Sequence, residues 1–172
     1  CRTALPLLQG DPSKRAILVG GTHLKESGDI TIADAMKLWF LEQGIHHSNQ
    51  ILTQKYFPLL REYMPPRDTW EEVILLKKMF RCLRINPEQL FTSIAWDFHI
   101  RRLARIYRTY HLMEHKFIPV TPPPYKGLRK RKYWEKAARV IRFFDPTGHG
   151  AICHEARLKR TLVENNKKPL II

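Results

Sequence analysis

At 172 residues the chain has the length of one ordinary domain, and its 44% hydrophobic content is enough to bury a continuous core, which excludes wholesale disorder. A formal charge of +14 with a pI of about 10.0 exceeds what solubility requires and points to an anionic partner, the plain alternative being a basic protein that tolerates its charge. No apolar run approaches the roughly 20 residues that cross a bilayer as a helix, and no secretory signal opens the chain, so a soluble protein of the mitochondrial matrix or cytoplasm is expected, without a transmembrane segment.

The cysteines, Cys1, Cys82 and Cys153, are odd in number and lack the close pairs of zinc or redox motifs, which fits a reducing compartment. A first residue other than Met is read as processing or truncation. Charge is unevenly divided. Residues 16–53 carry Lys25 and Lys37 against Glu26, Asp29, Asp34 and Glu42, whereas residues 101–142 hold thirteen Lys or Arg against Glu114 and Glu135.

Ala16 to Val19 is a short apolar run ending in Gly20-Gly21, as a buried parallel strand entering a loop would be. Ile32, Ala35, Met36, Trp39 and Phe40 recur at helical spacing and Gly44 stops that helix. A strand is expected at Gln50 to Thr53, then a compact insertion between Tyr56 and Arg67 closed by Pro65-Pro66. Val73, Leu76, Phe80 and Leu83 predict the next helix, and Gln89 to Trp96 the next strand. Phe98, Leu103, Ile106, Tyr107 and Tyr110 mark a helix, Phe117 to Thr121 a strand, and Trp134 to Phe144 a last helix beyond the stiff Pro122-Pro123-Pro124 connector.

Strands alternating with helices predict an α/β fold, a Rossmann-like, mainly parallel three-layer sheet with helices on both faces. The expected domain is 1–128, with a basic helical extension over 129–172. In such folds ligands sit at the carboxyl ends of the strands, where Gly20, Gly21, Thr69, Asp97 and His99 are candidates to converge.

Several stretches in this order resemble the YdcF-like family, whose bacterial members include YdcF, SanA and ElyC: Ile17-Leu18-Val19-Gly20-Gly21, Ala33-Asp34-Ala35-Met36 through Gln43-Gly44-Ile45, and Asp97-Phe98-His99 followed by Arg102. Asp68-Thr69-Trp70-Glu71-Glu72 falls where the family has Asn-Thr-x-Glu-Asn. The resemblance spans about residues 2 to 121. It implies a Rossmann-like sheet and, from one relative, binding of S-adenosylmethionine; it brings no settled reaction. The family's usual first strand and glycine-rich loop would precede Cys1. An acidic residue the family has before its first helix falls here at Ile32, its Thr-Ser pair at Ala95-Trp96 and its second Asn at Glu72; the change of polar groups to Ile, Ala and Trp removes hydrogen-bonding groups a nucleotide-like ligand needs and implies a worn pocket.

Each candidate has a plainer counterpart. Gly20 and Gly21 could admit a phosphate to the backbone or form a simple turn. Thr69-x-x-Glu72 reads first as a capping box and second as a ligand contact. His99 beside Asp97 is a weak candidate for a general base, since no nucleophile accompanies it, and Arg102 could clamp an anion. No cofactor is expected on balance, with S-adenosylmethionine or a nucleotide as the alternative.

Arg101, Arg105 and Arg108 recur at i, i+4, i+7 opposite their helix's apolar stripe, and Lys132, Lys136 and Arg139 do so on the later helix, beside the basic run containing Arg129, Lys130 and Arg131. These suit RNA phosphates or an acidic protein surface in a larger complex. Asp145 to Glu155 resembles a worn EF-hand loop in which Thr147, His149 and Ala156 replace calcium ligands, and His149, Cys153 and His154 match no standard metal spacing, so no metal is expected. The expected function is therefore a non-catalytic or vestigial YdcF-like subunit of a larger assembly, such as a mitochondrial ribonucleoprotein. The alternative is an enzyme or sensor binding S-adenosylmethionine or a nucleotide. Nothing in the sequence sets an oligomeric state.

Overall fold

The computed structural model of the protein describes residues 1–21, 30–46, 50–60, 63, 65–66, 68–86, 91–112, 116–124 and 133. These fall into two compact units that divide between Ile85 and Asn86. The expected extension over 129–172, with its basic run, its Lys132, Lys136 and Arg139 stripe and its EF-hand-like turn, lies outside the described residues apart from Tyr133.

The first unit opens with a short helix that the apolar pattern did not reveal, α1 (Leu5–Gln9), with Pro6 in its first turn, where a missing N–H costs no helical bond. Strands β1 (Ala16–Ile17) and β2 (Ile51–Leu52) pair in parallel, Ala16 opposite Ile51 and Ile17 opposite Leu52, and helix α2 (Ile32–Glu42) lies between them in sequence. Helix α3 (Thr69–Cys82) follows two 3-10 turns, Gln54–Tyr56 and Pro58–Leu60, which make up part of the expected insertion.

Alternation along these short strands divides the core in two. Ile51, with Ala16 and Leu18, packs against Leu8 of α1 and Phe40 and Trp39 of α2. Leu52, with Ile17 and Val19, packs against Phe57 and Leu60 of the insertion and Leu75 and Met79 of α3. The two-stranded sheet thus carries helices against both faces, and each such side chain withdrawn from water contributes roughly 1.5–3 kcal/mol. Buried Gln50 fastens α1 to the sheet, its Nε2 donating to the carbonyl of Leu8 at 2.8 Å.

The buried side of α2 differs in part from the expected one. Ala33 and Phe40 are buried, whereas Ile32 is 40% and Leu38 55% exposed and Ala35 is exposed. Phe40 and Trp39 of the expected stripe do pack with Ile51 of β2, so the apolar residues at 32 and 35 misdirected only the first half of the pattern. In α3 the expected Val73, Leu76 and Phe80 are buried, and so are Ile74, Leu75, Met79 and the polar Glu71.

The second unit is a parallel β–α–β segment: β3 (Thr92–Trp96), α4 (Asp97–Thr109) and β4 (Lys116–Val120), in register from Thr92 opposite Lys116 to Trp96 opposite Val120. Helix α4 buries Ile106 and Tyr107. The Tyr107 ring stacks on Phe117 at 5.9 Å, meets Phe91 edge-on at 5.8 Å, and its hydroxyl lies 3.3 Å from Ser93 Oγ. The structure is therefore mixed α and β with small parallel sheets, and among the described residues the strands pair as two two-stranded sheets, one in each unit.

Helices α2, α3 and α4 end alike. After each, one residue takes a left-handed conformation, Gly44 (φ 85°), Arg84 (φ 55°) and His111 (φ 53°). The next residue folds back, Ile45, Ile85 and Leu112 donating their N–H to the carbonyls of Phe40, Phe80 and Tyr107 at 3.1, 2.9 and 2.9 Å. This is the Schellman closure, in which an apolar residue just past the helix docks on its last turn.

Candidate functional site

Gly20 and Gly21 sit where β1 leaves the first sheet. A Cβ on Gly20 would meet Ile32 Cβ at 3.1 Å, and one on Gly21 would meet the Pro66 carbonyl oxygen at 1.5 Å. Ile32 N–H also donates to the Gly21 carbonyl at 3.0 Å. The two glycines thus serve close approach of the chain to itself, and the space left by the absent Cβ atoms is taken by the start of α2 and the proline segment. Thr69 is the first residue of α3, but the cap is Asp68, whose Oδ1 accepts the N–H groups of Trp70 and Glu71 at 3.0 and 3.1 Å. The expected capping box headed by Thr69 is therefore corrected by one residue, an aspartate being as good a cap as threonine.

A capping box does occur at α2. Thr31 Oγ1 accepts the Asp34 N–H at 3.0 Å and Asp34 Oδ2 accepts the Thr31 N–H at 3.1 Å, while Lys55 Nζ lies 2.9 Å from the same carboxylate oxygen. Burial alone would raise the Asp34 pKa, but the hydrogen bonds of Lys55 and Thr31 and the charge of Lys55 outweigh it and hold the carboxyl below its ordinary value.

In the second unit Asp97, His99 and Arg102 share the first turns of α4, at the carboxyl end of β3. Asp97 Oδ1 accepts the N–H of Phe98 at 2.6 Å. Arg102 Nη2 lies 3.1 Å from His99 Nδ1. A guanidinium only donates, so Nδ1 is the accepting atom of this contact. His99 and Arg102 thus form a paired polar group on the first turns of α4.

Two neighbours of His99 lay outside the sequence candidates. Trp96 stacks on its ring at 5.7 Å and 13°, and Phe98 lies 4.5 Å from it. The run Trp-Asp-Phe-His was the available signal, since residues on either side of a strand-to-helix junction are brought together by the turn.

Arg101, Arg105 and Arg108 line, with Ala104, a shallow groove of about 390 Å³ on α4. Arg101 and Arg108 are exposed and Arg105 is half-buried. Ala104 has only a methyl group, too short to fill the space between the longer arginines, and the groove lies opposite the buried Ile106. Arg129, Lys130, Arg131, Lys132, Lys136 and Arg139 fall outside the described residues.

Among the described residues no group of three or more His, Cys, Asp and Glu gathers as a metal site requires. No described helix is long and apolar enough to cross a membrane. Comparison of the chain with protein-family profiles, with curated proteins and with solved structures gives no match in any of the three.

Proposed function

We propose that the chain is a YdcF-like domain retained as a non-catalytic binding subunit of a larger assembly, such as a mitochondrial ribonucleoprotein, and that it engages an anionic partner through its basic surface. The observation that carries this reading is the arginine groove of α4, set within a sequence segment that holds most of the +14 charge. A worn pocket is supported by the contacts of Gly20 and Gly21, which set the Ile32 side chain and the Pro66 backbone against the strand end. The Rossmann-like three-layer sheet is part of the same proposal, supported by the order β1, α2, β2, α3, β3, α4, β4 and by parallel pairing in both units.

Purification of the native protein at low and high salt, with identification of what co-elutes, tests the reading. A partner retained at low salt and released at high salt is expected, and Arg101, Arg105, Lys132 and Lys136 replaced together by Gln should abolish retention. Unchanged retention would remove the basis for a basic docking surface.

The pairing of His99 with Arg102 near the carboxyl end of a parallel strand favours a second reading, a site for S-adenosylmethionine or a nucleotide. That reading requires ligand-dependent thermal stabilisation of the intact protein, and its absence across a panel of such ligands leaves the first.

A further inference from the structure

We infer that the groove on α4 holds a single strand of RNA, its phosphates on Arg101, Arg105 and Arg108 and one of its bases against Phe98; the inference rests on the basic-subunit reading and names its ligand. At the 1.5 Å rise of an α-helix, Arg105 and Arg108 lie about 6 and 10.5 Å along the axis from Arg101, a ladder of cations on the scale of successive phosphates of one strand. Among the described residues none of the three guanidiniums is paired with a carboxylate or a hydrogen-bond acceptor. Like charges one turn apart repel, so an anion spanning them is favoured over bare solvent. All three are arginines, whose planar forks match phosphate oxygens, and Ala104 leaves the strand room to approach.

The choice of RNA over an acidic protein comes from the aromatic residues. Phe98 precedes Arg101 by three residues and so belongs to the same side of α4, one turn nearer its start. Its half-buried ring is held by Trp96 at 5.5 Å and His99 at 4.5 Å. Carboxylates would satisfy the arginines but make no use of this platform, whereas unpaired bases stack on such rings whatever their identity. A duplex keeps its bases stacked inside and presents none to Phe98.

The test uses the full chain and fluorescence anisotropy with a short oligouridylate, an abasic phosphodiester strand of equal length, a duplex of equal phosphate number, and polyaspartate as competitor. The oligouridylate is expected to bind at least about fivefold tighter than the abasic strand, the difference being one stacked base. Phe98→Leu should remove that difference without altering the salt dependence. Replacing all three arginines by Gln should lower the slope of log affinity against log salt by about two. Equal binding of the abasic strand, or tighter binding of the duplex, overturns the single-strand inference while the basic-surface reading stands. Displacement by polyaspartate at matched charge overturns the assignment to RNA. An unchanged slope in the triple variant sinks both, and because the abasic comparison uses the parent protein, misfolding of Phe98→Leu does not shield the inference.

Discussion

A Cβ on Gly21 would stand 1.5 Å from the carbonyl oxygen of Pro66, so the backbone leaving β1 and the proline segment ahead of α3 lie closer than any other residue type permits. Gly21→Ala must displace one of the two segments. An overpacking loss of about 1–3 kcal/mol is expected in urea unfolding. Gly10→Ala is the control, its Cβ meeting only the Pro6 carbonyl at 3.2 Å, and should lose much less.

Asp34 joins the start of α2 to Lys55, and the pH dependence of stability should report it. Its folded pKa lies below the unfolded one, so the carboxylate's contribution is complete above about pH 4 and is lost as pH falls through the lowered folded value. Asp34→Asn should lower stability by about 1 kcal/mol at neutral pH, the cost of a weakened capping box and a lost ion pair. Denaturation curves of parent and variant should converge in strong acid. A gap that persists there would mean that the charge is not what matters.

The order of strands and helices was legible from four apolar runs and three periodic stretches, separated by Gly or Pro as far as the run that becomes β3 and by neither on either side of α4. Gly44 and the Pro65-Pro66 pair mark boundaries that the structure keeps. What the pattern missed has physical causes. Five-residue α1 is too short for a periodic signal and is held by burial of Leu8 and by Gln50, forty-two residues away. Ile32 and Ala35, apolar residues at helical spacing with Phe40, stay exposed on α2 while Phe40 is buried, so spacing alone misplaced one end of the buried face. At the candidate site, the charge of Arg101, Arg105 and Arg108 could be read from spacing. The bond between His99 and Arg102 and the stacking of Trp96 could not, since they depend on how the chain turns from β3 into α4.

Tyr107 of α4 is buried, with its ring against Phe91 and against Phe117 of β4. Tyr107→Phe keeps the ring and removes the hydroxyl near Ser93, and should cost no more than about 1 kcal/mol. Tyr107→Ala empties the site and should cost about 3–5 kcal/mol. Comparable losses from the two variants would show that the hydroxyl, rather than the packing of the ring, holds the helix in place.

The three helix ends allow a prediction of opposite sign. Arg84 and His111 occupy the left-handed position that Gly44 occupies after α2, and both are exposed, so their side chains face a backbone penalty with little packing to offset it. Glycine removes the penalty but adds freedom to the unfolded chain, and the first effect is the larger. Arg84→Gly and His111→Gly should each raise stability by about 0.5–1 kcal/mol, while Gly44→Ala should lower it by about 1 kcal/mol, although nothing lies within 4 Å of its added Cβ. Thermal melts of the three variants decide the matter. A stabilising Gly44→Ala would show that φ at this position is not what closes the helix, and a destabilising His111→Gly would show that the His111 side chain contributes more than its backbone strain removes.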